Sequence, residues 1–150
     1  MKRIASLAVL LGLTFAAGAV LAHDDAYLDT RKAPNGGQLR QAGPYHYELV
    51  LAKDATAAQE NPVVVYVTDH AGAKIPTAGA SGTATILAGK LKAAATLKPE
   101  GGNMLKGFAK YASSPDTKVV VSVTLAGKQA EQARFTPLAV AKDGHTDHAH

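Results

Sequence analysis

Eight short runs of alternating or β-branched apolar residues, each closed by Gly, Pro, Asn, Asp or Ser, leave this chain few folds to choose from. The runs fall at residues 38–41, 45–51, 63–68, 83–87, 91–97, 104–108, 118–125 and 130–135. Their connections are too short for the crossover helices of a parallel sheet, so the spacing predicts antiparallel pairing. The expected fold is all-β: an antiparallel β-sandwich of seven to eight strands, immunoglobulin-like or Greek-key. Helix signals are poor. Residues 52–60 hold helix formers, but Asn61 and Pro62 stop them, and the stretch reads equally well as an irregular connection.

Period-two alternation also says which side chains face inward. Tyr45, Tyr47, Leu49 and Leu51 share one face of their run, as do Val63, Val65 and Val67, and Val119, Val121, Val123 and Leu125. By the same parity His46 and Glu48 point to the opposite face, about 7 Å apart along the strand.

Residues 1–22 have the three parts of a secretory signal: Lys2 and Arg3, an apolar run, and small residues ending in Ala22, after which cleavage is expected. Gly12, Thr14 and Gly18 interrupt the run and make it a poor membrane anchor. The expected location is the periplasm. Without Lys2 and Arg3, the sixteen basic and twelve acidic residues become fourteen and twelve, so the mature chain is nearly neutral. No Lys/Arg cluster with interleaved aromatics occurs, which argues against nucleic acid as a partner. The absence of cysteine excludes thiol redox chemistry and leaves stability to packing. One domain is expected, at 33–137, preceded by a mobile leader at 23–32 and followed by a solvated, histidine-bearing tail at 138–150.

Histidine is where chemistry concentrates. Four of the six sit at the expected mature ends: His23 first, and His145, His148 and His150 within the last six residues. A neutral imidazole suits zinc, copper, nickel and cobalt. In the tail, Asp143 and Asp147 add carboxylates, enough donors for a labile site; the plainer alternative is a disordered polar end. Cleavage before His23 would offer an amine and a ring nitrogen together, a chelate that favours Cu(II). His46 and Glu48 either share a metal or simply form a solvated strand face. Asp69 is expected to hold the turn after 63–68 through its own backbone hydrogen bonds, leaving His70 freer and available to converge with His46. Met104 reads as a core filler rather than a Cu(I) ligand. No nucleophile elbow, His-Glu-x-x-His helix or phosphate-cradling loop occurs, and a copper brace on His23 lacks its second histidine, so no enzyme is expected.

Three strings carry a resemblance: Ala-Pro-Asn-Gly-Gly-Gln at 33–38, Tyr-His-Tyr-Glu-Leu-Val at 45–50 and Tyr-Val-Thr-Asp-His at 66–70. Together they resemble small periplasmic β-proteins of bacterial heavy-metal resistance systems, whose domain is similar to the amino-terminal module of cobalt, zinc and cadmium efflux adaptor proteins. Gly82, Thr83 and Ala84, the 97–102 turn, and Ala133, Arg134 and Phe135 extend the likeness over about 33–135. The resemblance implies a protein that binds a transition metal, copper or zinc ahead of nickel or cobalt, and buffers it or passes it to an efflux adaptor or pump. It carries His46 and His70 over as ligand positions. The family's first motif reads Ala-Pro-His-Gly-Gly, and Asn35 stands here in that histidine's place. The alternative function is a structural module that docks an efflux adaptor through its strand edges and binds no metal itself.

Overall fold

Every expected strand forms. The computed structural model describes residues 24–140, in which β1 (Gln38–Ala42), β2 (Tyr45–Leu51), β3 (Glu60–Asp69), β4 (Ser81–Ala88), β5 (Leu91–Pro99), β6 (Met104–Lys110), β7 (Lys118–Thr124) and β8 (Ala130–Phe135) follow one short helix, α1 (Asp25–Asp29). All neighbouring strands are antiparallel, in the spatial order β1-β2-β3-β6-β5-β4-β7-β8. The two outer strands then approach each other. The Thr136 amide donates to Gln38 Oε1 at 2.8 Å, tying the end of β8 to the start of β1. The result is one eight-stranded antiparallel sheet, nearly closed, and near closure shields edges that would otherwise pair with other chains.

Side-chain parity builds the core as alternation demands. Tyr47, Leu49, Val63, Val65, Val67, Leu105 and Val121 have no exposed surface, and Ile86, Leu97, Val119, Val123 and Phe135 are almost as buried. Tyr45, at the end of β2, is partly buried against them. One joint in the sheet is weak: β5 meets β6 through Lys98↔Lys106 and Pro99↔Leu105, whereas it pairs with β4 over seven residues.

The 52–59 connection is irregular, and polar side chains fasten it. Asn61 Nδ2 donates to the carbonyls of Thr56, Gln59 and Tyr111 at 2.9–3.0 Å. Ser113 Oγ donates to the Ala52 carbonyl and accepts from the Ala55 amide. This bracing extends β3 back to Glu60, through Pro62, whose carbonyl accepts from the Tyr111 hydroxyl at 2.6 Å. Among the described residues, no helix is long and apolar enough to cross a membrane.

Tyr47 is anomalous within the core: its hydroxyl is buried with no hydrogen-bond partner among the described residues. Burial first, then the Glu131 carboxylate and Tyr45, push its pKa well above the ordinary tyrosine value. Burial also raises Tyr111, with the Ala52 hydrogen bond opposing it. A folded-state pKa above the unfolded one contributes stability that is present below about pH 10 and is lost as pH rises beyond it, because the unfolded chain then ionises first. Stability is therefore expected to fall above pH 10 by about 1.4 kcal/mol per pH unit for Tyr47, with Tyr111 acting in the same direction. Tyr47→Phe should remove one tyrosine's share of that slope. At neutral pH it should be neutral or stabilising by about 1 kcal/mol, since it deletes an unsatisfied buried hydroxyl. Urea unfolding of both proteins at pH 7 and pH 11 checks this, and equal alkaline slopes would refute it.

Candidate functional site

The outward face of β2 is not solvated. Parity turns His46 and Glu48 away from the core, as expected, yet they are 7 % and 3 % exposed. The cover comes from residues 24–37, where the sequence reads a mobile leader and a turn. Within the leader, α1 forms because the Asp24 carboxylate caps it, accepting from the Tyr27 amide at 2.8 Å, and because Leu28 buries all but 2 % of its surface. A single buried leucine on five residues is too little periodicity to read from sequence.

Arg40 latches α1 to the edge of the sheet. Its guanidinium lies 2.8 Å from Asp29 Oδ1 and 3.5 Å from Asp25 Oδ1, and it also donates to the Leu39 carbonyl. The acids are more than half exposed, so water screens the attraction and the two contacts together are worth about 1 kcal/mol. Replacing both by asparagine should speed amide exchange in 25–31 about fivefold, with little change in global unfolding. Unchanged exchange would show that Leu28 alone holds the helix.

Glu48 holds the Ala-Pro-Asn-Gly-Gly turn. Oε2 accepts from the Asn35 and Gly37 amides, each at 2.9 Å, and Oε1 accepts from the Asn35 amide at 3.2 Å and from Asn35 Nδ2 at 3.0 Å. The position where the family resemblance expects a histidine thus carries a side chain that donates to this carboxylate.

His70 reaches the same face through the turn after β3. Asp69 Oδ1 accepts from the Ala71 and Ala73 amides at 2.9 and 2.8 Å, the structural role expected of it. Gly72, at φ +84°, closes the turn. His46 pairs opposite Thr68, and the His46 and His70 rings meet edge to face with centroids 4.6 Å apart. Two histidines 24 positions apart in sequence are therefore in contact.

Beside them lies a cavity of about 270 Å³. α1 contributes Tyr27 and Leu28; the sheet contributes Leu39, His46, Glu48, Tyr66 and Thr68; the turns contribute His70 and Asn103. Three cations, Arg31, Lys32 and Lys74, also line it, and Arg31 Nη1 donates to the Tyr27 hydroxyl at 3.0 Å. Sequence reasoning missed Tyr27, Arg31, Tyr66, Lys74 and Asn103. Tyr66 carried a usable signal, since it alternates with Val65 and Val67 and so faces outward. Among the described residues, no three His, Cys, Asp or Glu side chains gather as a metal site. His23, His145, His148 and His150, like the segment 1–22 expected to be a signal and residues 141–150, lie outside the described residues.

No family model matches the chain, and no curated protein matches it. A search of solved structures finds a lipoprotein from Bacteroides thetaiotaomicron, determined by solution NMR, at 13 % identity and a TM-score of 0.33, covering 74 % of this chain and 93 % of that one.

Proposed function

We propose that this chain is an exported, periplasmic binding protein that takes a transition-metal ion, copper or zinc ahead of nickel or cobalt, between His46 and His70. The observation that carries this reading is the contact of the two imidazoles beside a partly open cavity, since neutral imidazoles are good donors to these ions. Glu48 supports the site through the turn that covers it. The role is buffering or delivery within a heavy-metal efflux system, with an efflux adaptor or pump as recipient. The reading is of binding without turnover, in keeping with the absence of a hydrolytic or phosphate-binding motif in the sequence.

Calorimetric titration of the purified protein with Zn(II) and Cu(II) tests it. One equivalent should bind, and His46→Ala and His70→Ala should each weaken binding at least tenfold, about 1.4 kcal/mol. A chain ending at Pro137 and a His23→Ala variant, titrated alongside, read what the terminal histidines add. Binding that survives both pocket variants and vanishes with the tail would overturn the proposal, leaving the docking module as the better description.

For the fold, we infer a two-sheet Greek-key sandwich. Its support is the order β3-β6-β5-β4, in which β3 returns beside the last of three consecutive strands, together with the two-pair joint between β5 and β6.

A further inference from the structure

We propose that the pocket between α1 and the outward face of β2 and β3 binds a small organic monocarboxylate without any metal, its apolar body against the walls and its carboxylate among the cations at the rim. This goes beyond the metal-binding reading and does not rest on it.

Apolar and aromatic side chains wall the pocket. α1 brings Tyr27 and Leu28, β1 brings Leu39 and β3 brings Tyr66. Leu28 is 2 % exposed, and Leu39 and Tyr66 are partly buried. Benzene fills an apolar cavity of about 150 Å³, so the volume of about 270 Å³ here suits a ligand of roughly eleven non-hydrogen atoms. A long acyl chain is too large for it, and an inorganic anion leaves most of it unfilled.

The rim carries one sign of charge. Arg31, Lys32 and Lys74 line it and are exposed. Among the described residues, ion pairs form between Arg40 and the two acids Asp25 and Asp29, neither of which lines the cavity, so no carboxylate answers the three cations. Glu48 does line it, but both its oxygens accept from Asn35 and Gly37, and turning toward the rim would release the 33–37 turn. A carboxylate arriving from water therefore meets donors that strengthen its hydrogen bonds by their charge and have no acid of their own. A single anionic group fits best, because a second one, or a sugar, would set polar atoms against Leu28 and Leu39.

Two of the cations are held before a ligand arrives. Arg31 donates through Nη1 to the Tyr27 hydroxyl at 3.0 Å, with its guanidinium carbon 5.7 Å from the centre of that ring, and its other N–H groups remain to be used. The backbone at Lys74 is bridged to Thr68, and the next amide, of Ile75, donates to the Val67 carbonyl at 3.1 Å, which fixes this segment beside β3. Such preorganisation lowers the ordering cost of binding.

The test is a titration of the metal-free, nitrogen-15-labelled protein with cinnamate, followed through its amide chemical shifts. Shifts should saturate at one cinnamate per chain with a Kd of about 1 mM or tighter, and should centre on residues 27–35 and 66–74. Cinnamamide, which keeps the shape and lacks the charge, should bind at least tenfold more weakly, and so should inorganic phosphate, which has charge without an apolar body. Arg31→Gln with Lys74→Gln should weaken cinnamate at least tenfold and leave cinnamamide unchanged, whereas Lys90→Gln, in the β4–β5 turn, should alter neither. Tyr66→Ala should weaken both, with the dispersion of the remaining amides as the check on folding. The absence of saturable shifts with cinnamate would overturn the inference. Cinnamamide binding as well as cinnamate would reduce the pocket to an apolar cavity, and phosphate binding as well would reduce it to a plain anion site; either result also overturns the inference. Cinnamate bound only after Zn(II) is added would overturn it too, while supporting the metal-binding reading. Cinnamate bound by a protein that takes up no Zn(II) or Cu(II) would leave it standing alone.

Discussion

Glu48→Ala is expected to cost the fold about 3 kcal/mol with no metal present, because it takes the acceptor away from the donors of the 33–37 turn. The carboxylate is buried and accepts from two backbone amides and one side-chain amide within 3.2 Å. Hydrogen bonds to a charged group are worth about 1.5–3 kcal/mol each, and their loss is not additive, because the freed turn partly recovers water. Two part-buried backbone N–H groups, those of Asn35 and Gly37, nevertheless lose their acceptor. The turn also has little room to settle: a Cβ at Gly37 would collide with the Leu49 carbonyl, so the backbone there lies directly against β2. Glu48→Gln should recover part of the loss, since one oxygen still accepts while the new NH₂ faces donors. Urea unfolding in the presence of a chelator measures all three proteins. If Glu48 served the fold only as a metal ligand, the chelated variants would unfold like the wild type, and the staple described here would be wrong.

The same residue shows how far sequence reasoning reaches. Parity placed Glu48 and His46 outward correctly, because alternation in β2 is a local property of seven residues. What lay over them was not local. α1 offers one buried leucine and one capping aspartate, too little to separate from a polar leader. The meeting of His46 and His70 was half legible. Once β2 and β3 are paired with His46 opposite Thr68, positions 46, 66, 68 and 70 share a face, and only the pairing and its register were missing. Strand count and core followed from β-branched alternation, so Val63, Val65, Val67 and the Val119–Val123 series are buried as expected. Near closure was illegible, since it depends on Gln38 and Thr136 meeting across 98 positions, which no local pattern encodes.

Gly107→Ala should be comparably damaging, at about 3 kcal/mol or more, although it adds a single methyl group. Gly107 lies in β6 opposite Val63, just past the two pairs that join β6 to β5. A Cβ there would run into the Thr96 carbonyl oxygen, stand 3.0 Å from the Thr96 carbonyl carbon and press on Leu97. Those first contacts are backbone in a paired strand, where yielding means moving β5 and the seven residue pairs it makes with β4. The penalty is steric rather than conformational, because Gly107 is not among the glycines at positive φ. Replacing glycine by alanine at an accommodating position instead stabilises by about 0.4–1 kcal/mol, through the unfolded chain, so the sign of the change decides the matter. Gly89→Ala is the control. It sits at φ +58° in the β4–β5 turn with open space around it, and should cost about 1–2 kcal/mol from backbone conformation alone. Denaturant unfolding of the two variants compares them. A Gly107→Ala protein as stable as the wild type would mean that β5 gives way freely where it leaves β6, and that the close approach there does not hold the two halves of the sheet in register.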